Sequence, residues 1–145
     1  MTELRIEVRI PTENIRLADP CPIEVAIINE GSVAVGVNSR LAVGYRRSLH
    51  RELFVDIFRA GSAEPVGTET QLYDRAPARP ADFRRIGPGD ALRTSFDLFE
   101  WYSVPAAGRY ELVVCYQADE KLAKPPAGTA SGVHCSPRTA LVVRG

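Results

Sequence analysis

The residues of this 145-residue chain that could do chemistry are few. It has two histidines, His50 and His134, and three cysteines, Cys21, Cys115 and Cys135. His134 and Cys135 are adjacent, which invites a thiolate–imidazole reading. Neighbours on a loop seldom share a working hydrogen bond, however, and no third group is in place to orient the ring. A zinc site would need four ligands, so Cys21, Cys115, His134 and Cys135 would all have to converge. Cys21 is fixed between Pro20 and Pro22, far from the others in sequence, and no metal site is expected. His50 lies in "SLHRELF", which lacks both the Glu and the second His of a zinc-peptidase helix. "AGTASGV" has the wrong order for a nucleophile elbow, and "IGPGDAL" supplies a tight turn rather than a phosphate-binding loop. The carboxylate pairs Asp97 with Glu100 and Asp119 with Glu120 sit beside turns, where solvent reaches them. Asp97 can instead cap a turn at Trp101. No catalytic constellation is complete, so the expectation is no enzyme, no cofactor and no metal.

Composition narrows the partners. Eighteen basic and eighteen acidic residues cancel to zero net charge, which argues against nucleic acid, whose binding draws on phosphate neutralisation. Arg75, Arg79, Arg84 and Arg85 do gather in one segment, but Asp74 and Asp82 share it, so a solvated mixed surface is expected. No apolar run is long enough to cross a membrane as a helix, and "MTELRIEVRIP" alternates from the start instead of forming a secretion signal. These features predict a cytoplasmic protein with no membrane partner. An odd cysteine number excludes a full disulfide framework. Reduced thiols are the expectation, with Cys115–Cys135 the one bridge that could form.

The elements that must position any site are strands. Leu4, Ile6, Val8 and Ile10 alternate with Arg5, Glu7 and Arg9, giving one dry face and one wet face. In "PCPIEVAIINEGS", Ile23, Val25 and Ile27 point one way and Asn29–Ser32 turns the chain. "VAVGVN" and "RLAVGY" read as two short strands or one irregular one. "ELFVDIF", Glu52 to Phe58, is apolar on both faces, which predicts a central strand. Residues 68–90 read as a long crossing loop, because Pro77, Pro80 and Pro88 bar a central strand. Ala91–Leu98 alternates again, "FEWYSVP" has room for one helical turn, and Arg109–Gln117 is the best strand of all. Residues 118–137 form a second long loop, and "TALVV" ends the chain. Seven to nine short strands in one domain over residues 1–145 predict an all-β fold: an antiparallel β-sandwich with Greek-key connections.

The stretch "IGPGDALRTSFDL" followed by "WYSVPAAGRYELVVCY" resembles the end of immunoglobulin-like and fibronectin-like modules. That resemblance implies that Tyr110 is a tyrosine corner, with Leu112, Val114 and Tyr116 facing inward beside it and Cys115 outward. It also implies that Val25 or Ile27 and Leu112 stand where antibody domains place their inter-sheet disulfide. The chain is similar to the β-sandwich accessory domain of deuterolysin-type metalloendopeptidases, through "PG…DL…Y…GxY". It is also similar to the bacterial intracellular proteinase inhibitor family, through a central strand like "ELFVDIF".

Two readings of the aromatic run stay open. Phe99, Trp101 and Tyr102 either protrude to grip a partner or close the end of the sandwich over its core. Functional contacts on such a scaffold fall on loops. The candidates for partner binding are therefore Phe99, Trp101, Tyr102, Arg79, Arg84, Arg85, Lys124 and His134. The expected function is a non-catalytic protein-interaction or accessory module, binding another protein through its long loops or a sheet edge. A proteinase inhibitor presenting the Pro77–Pro80 loop, with Arg79 or Arg84 facing a trypsin-like pocket, is the alternative. A structural subunit of a larger bacterial assembly, or a homo-oligomer joined by the edges of "LRIEVRI" or "TALVV", is a further one.

Overall fold

Alternation decides which face of each strand is dry, and the dry faces decide how the sheets stack. A computed structural model describes residues 3–12, 15–48, 50–71, 75–118 and 126–145. Along the chain come β1 (Leu4–Arg9), β2 (Ile15–Arg16), β3 (Pro22–Asn29), β4 (Val35–Asn38), β5 (Leu53–Arg59), β6 (Thr68–Glu69), β7 (Phe83–Ile86), β8 (Ala91–Asp97), the helical turn α1 (Leu98–Trp101), β9 (Tyr102–Ser103), β10 (Gly108–Gln117), β11 (Val133–Cys135) and β12 (Thr139–Arg144). The fold is an immunoglobulin-like antiparallel β-sandwich.

The first layer has the order β1-β3-β8, antiparallel throughout. Ile6 faces Ile27, and Ile27 faces Leu92, so one register lines up the apolar side chains of all three strands. The second layer is built on β10. It pairs with β5 on one side and with β11 and β12, end to end, on the other, and β12 then takes β2 in parallel. β11 and β12 are one strand broken by a bulge. Cys115 faces Cys135 while Leu112 faces Thr139, so one extra residue is absorbed between them. Pro137, which cannot donate to a ladder, sits in that break. From β3 the chain crosses to β5, returns to β8 and crosses again to β10, which is the Greek-key connection.

Between the layers Ile6, Ile23, Val25, Ile27, Leu53, Ile57, Leu112, Val114 and Leu141 are buried in one cluster. Each fully buried aliphatic side chain contributes about 1.5–3 kcal/mol. Val25, Ile27 and Leu112 share this cluster, so apolar packing stands where a disulfide ties antibody domains together. Tyr110 is buried, and its hydroxyl donates to the Ala106 carbonyl at 2.6 Å, the tyrosine corner that the resemblance implied.

Four expectations need correction. Cys115 and Cys135 are bridged, not reduced, because the bulge register sets them directly opposite one another on neighbouring strands. Cys115 does leave the inter-sheet face, yet it is fully buried. β5 is not central: its one strand partner is β10. Its outward Phe54 is covered by the Arg46 and Arg51 guanidiniums, 4.7 and 4.4 Å from the ring centre, and Phe58 by Arg138 at 4.0 Å. Finally, residues 68–90 are not one loop. β6 pairs with β9, a 3₁₀ turn forms at Pro80–Asp82, and β7 pairs with β4. The prolines do keep these strands out of the main layers. "VAVGVN" yields β4, and "RLAVGY" contributes only a bridge from Val43 to Leu53.

Candidate interaction surface

The two long loops converge on one platform, the β4–β7 pair. Gly36 on β4 bridges in parallel to Thr129, and its amide and carbonyl bond Gly128 and Ala130 at 2.9 Å each. A Cβ on Gly36 would lie 3.2 Å from the Thr129 backbone, so a side chain there would push the two segments apart by a few tenths of an ångström. From β7, Arg85 reaches the Ala127 and Ala34 carbonyls at 3.4 and 3.3 Å. Arg85 therefore fastens residues 126–130 to the platform, and Arg84 beside it stays exposed.

The proline loop beside the platform is held from several directions. Arg40 donates to the Ala76 carbonyl at 2.7 Å, and Arg75 to the Val43 carbonyl at 2.8 Å. The Ala78 side chain is buried. The Arg79 amide donates to Asp82 Oδ2 at 2.7 Å, and the Ser39 amide and hydroxyl donate to the Asp82 carbonyl at 2.8 and 2.6 Å. Arg79 itself is exposed, with an extended backbone at φ −110°, ψ 159°. Proline removes backbone freedom from such a loop, and the anchors remove most of the rest.

Arg40 belongs to an ion pair that sequence reasoning missed. Its Nε and Nη2 donate to the two oxygens of Glu52 at 2.8 and 2.6 Å, and Glu52 has no exposed surface. Glu52 Oε1 also accepts from the Ala42 amide at 3.0 Å. Twelve residues and no periodic pattern separate the two partners, so only the odd placement of a charge before an apolar strand could have signalled it.

The aromatic run divides. Tyr102 is 5% exposed, with its hydroxyl donating to the Gly44 carbonyl at 2.7 Å and accepting from the Val55 amide at 2.9 Å. Burial, helped by nearby Tyr45, Asp56 and Glu69, raises its pKa well above that of a free tyrosine, against the Val55 amide, which lowers it. Tyr102 thus faces inward instead of protruding. Trp101 is half-buried, edge-on to Tyr45 at 6.0 Å and under the Arg75 guanidinium at 5.7 Å. Phe99 is half-buried against a hollow of about 270 Å³ lined by Leu17, Ala18, Tyr102, Ser103 and Val104. Asp97 caps α1 as anticipated, accepting from the Phe99 amide at 3.0 Å and from the Cys21 amide at 2.8 Å.

His134 lies on β11, its ring beside Tyr116 and its Nε2 2.9 Å from the Ser131 carbonyl. Its partner in the adjacent pair, Cys135, is tied up in the disulfide. Lys124 lies outside the described residues. The structure therefore brings Arg79, Arg84 and Arg85 to one end and does not join them to Phe99. Among the described residues, no group of three His, Cys, Asp or Glu side chains converges as metal ligands do. Cys21 is buried, and desolvation pushes its thiol up to about 12, helped by nearby Asp97. No helix among the described residues is long and apolar enough to cross a membrane.

No protein-family profile matches the chain, and no curated protein sequence matches it. Solved structures with a similar course include a CARDB domain from Pyrococcus furiosus in complex with di-metal ions, at 15% identity over 98% of this chain and 93% of that one, TM-score 0.43. They also include a β-glucosidase from Listeria innocua in complex with isofagomine, at 14% identity over 99% of this chain and 16% of that one, TM-score 0.45. A β-glucosidase from Erythrobacter marinus aligns at 13% identity over 98% of this chain and 15% of its own, TM-score 0.40. The chain thus spans under a fifth of each glucosidase. The assignment of the sandwich rests on the strand order and register described above.

Proposed function

We propose that this chain is a non-catalytic interaction module that presents its β4–β7 platform and proline loop to another protein with an acidic contact surface. One observation carries the reading. The Pro77–Pro80 segment is anchored through Ala76, Ala78 and Asp82, yet among the described residues its exposed Arg79, and Arg84 on neighbouring β7, form no ion pair or side-chain hydrogen bond. Arg75, Arg79, Arg84 and Arg85 outnumber Asp74 and Asp82 in this segment, a local excess of positive charge on a chain of zero net charge. A loop ordered before binding loses little entropy on binding, and unpaired guanidiniums are suited to carboxylates. Such a patch is too small for the phosphate neutralisation that nucleic-acid binding needs.

The test compares the wild-type chain with R79E/R84E as baits in an extract of its own cells. A partner retained by the wild type at low salt and lost with the variant, whose melting temperature stays unchanged, supports the reading. Equal recovery by both overturns it. The extended backbone at exposed Arg79 also suits a protease cleft, which accepts extended strands. Inhibition of trypsin-like proteases that vanishes in Arg79→Ala would favour a proteinase inhibitor, and no inhibition at micromolar concentration removes that alternative.

A further inference from the structure

The chain between β5 and β8 could have supplied a strand to cover β8. Its prolines at 77, 80 and 88 prevent a long ladder, and its strand β7 is spent on β4. Among the described residues β8 therefore pairs with β3 alone. The direction of the unused groups follows from the register. The Leu98 amide donates to Cys21 and the Asn29 amide to Asp90, at 2.8 and 2.9 Å, with Phe96, Thr94 and Leu92 facing Ile23, Val25 and Ile27 between them. Even-numbered residues of β8 thus serve β3, and Ala91, Arg93, Ser95 and Asp97 turn their N–H and C=O groups away from it. Among the described residues nothing bonds those groups at Arg93 or Ser95.

We propose that this edge pairs antiparallel with β8 of a second copy, joining two three-stranded layers into one continuous sheet. Beyond Arg93 and Asp97 the edge lacks the usual defences against such pairing. It has no proline and no bulge across seven residues, whereas β1 carries Arg5, Glu7 and Arg9 in alternation. The strand is also complementary to itself. Antiparallel pairing centred on Thr94 uses the outward groups of all four odd-numbered residues on both strands. It sets Arg93 opposite Ser95, diagonal to both Asp97 and Arg93 of the other copy, and Leu92 opposite the half-buried Phe96. The two opposed apolar pairs stabilise such a ladder, the charged diagonals of opposite and like sign offset one another, and a chain of zero net charge does not repel its copy.

Sedimentation over roughly 1–200 µM, where an interface of this modest size associates, tests the pairing. The wild type is expected to move from monomer to dimer across that range. Ser95→Pro removes an amide that β3 does not use and should leave a folded monomer. Ser95→Lys sets a second cation against Arg93 of the other copy and should weaken association at least tenfold; it decides the matter alone if the proline variant fails to fold. R79E/R84E, changed elsewhere, should dimerise as the wild type does, so this proposal and the platform reading can fail separately. A wild type that stays monomeric throughout, or a folded Ser95→Lys that dimerises like the wild type, overturns the proposal.

Discussion

The sandwich has two long strands at its margins, β5 in one layer and β8 in the other, and they are finished in opposite ways. Beside β5 the Leu53 amide donates to Ala42, the Leu53 carbonyl accepts from Gly44, and the Ile57 carbonyl accepts from Val66, at 2.7–3.0 Å. Between these flanking segments the Tyr102 hydroxyl bonds the Val55 amide and relays to Gly44. A side chain thus fills the gap where no backbone reaches. β8 receives no such cover. Its outward face carries Arg93 and Ser95, both exposed, and among the described residues nothing bonds their outward backbone groups. The connection between β5 and β8 supplies Val66 to one margin, and its described residues give the other no strand. Backbone groups need partners only where water is excluded, so the sealed margin is a matter of stability and the open one a matter of association.

The largest effect that would break this contrast comes from removing the anchor of the sealed side. Arg40→Ala leaves Glu52 charged and buried without its partner, and should cost about 3–5 kcal/mol in urea denaturation. An apolar pair, Arg40→Met with Glu52→Leu, should recover most of that loss. A loss below about 1 kcal/mol for the single change would mean that water reaches Glu52 and that the 39–52 segment does not seal β5.

Next comes Tyr102→Phe, which keeps the ring and strips two buried backbone groups of their shared hydroxyl. The expected loss is about 1–3 kcal/mol. Ser95→Lys on the open margin should change the monomer's stability by less than about 0.5 kcal/mol. Equal losses at the two sites would erase the difference between the margins.

A last effect is read in alkali. Tyr116 is buried, and that burial raises its hydroxyl to about 12, against the Asn38 amide bonded to it at 2.8 Å. The folded state keeps this proton after the unfolded state has released it near pH 10. Stability is therefore full below pH 10 and falls as pH climbs toward 12, by about 1.4 kcal/mol per unit for this group. Tyr102, shifted the same way, adds to the slope. Urea midpoints at pH 9, 10 and 11 should decline in that order and less steeply in Tyr116→Phe; a flat profile would place both hydroxyls in contact with water.

What could be read in the sequence was whatever repeats locally. The alternation of β1, β3, β8 and β10, the Asp97 cap and the Tyr110 corner each depend on residues within a few positions of one another. What could not be read depends on register or on distant partners. The Cys115–Cys135 bridge needs the bulge at Ser136–Arg138 to bring the two residues opposite. β7 is four residues long, with Phe83-Arg84-Arg85-Ile86 showing no alternation. The apolar outer face of β5 suggested burial between neighbours, but its cover is arginine from Arg46, Arg51 and Arg138. Of the site residues, Arg79 and Arg84 stand exposed, Arg85 is spent as a fastener, and Tyr102 is spent inside, because sequence alone does not say which polar atom a hydroxyl or guanidinium will meet.

β1 and β2, which follow one another in the chain, belong to different layers, β1 against β3 and β2 against β12. Ile15 and Val143, opposite one another, are both buried, and the Leu17 amide continues the contact to Arg144 at 2.8 Å. One length of chain is therefore stitched to both covers of the book, along the margin away from β5 and β8. The layers cannot be opened there without tearing β2 from its seam, so the hinge is closed on that side and any opening of the sandwich must start from the opposite one.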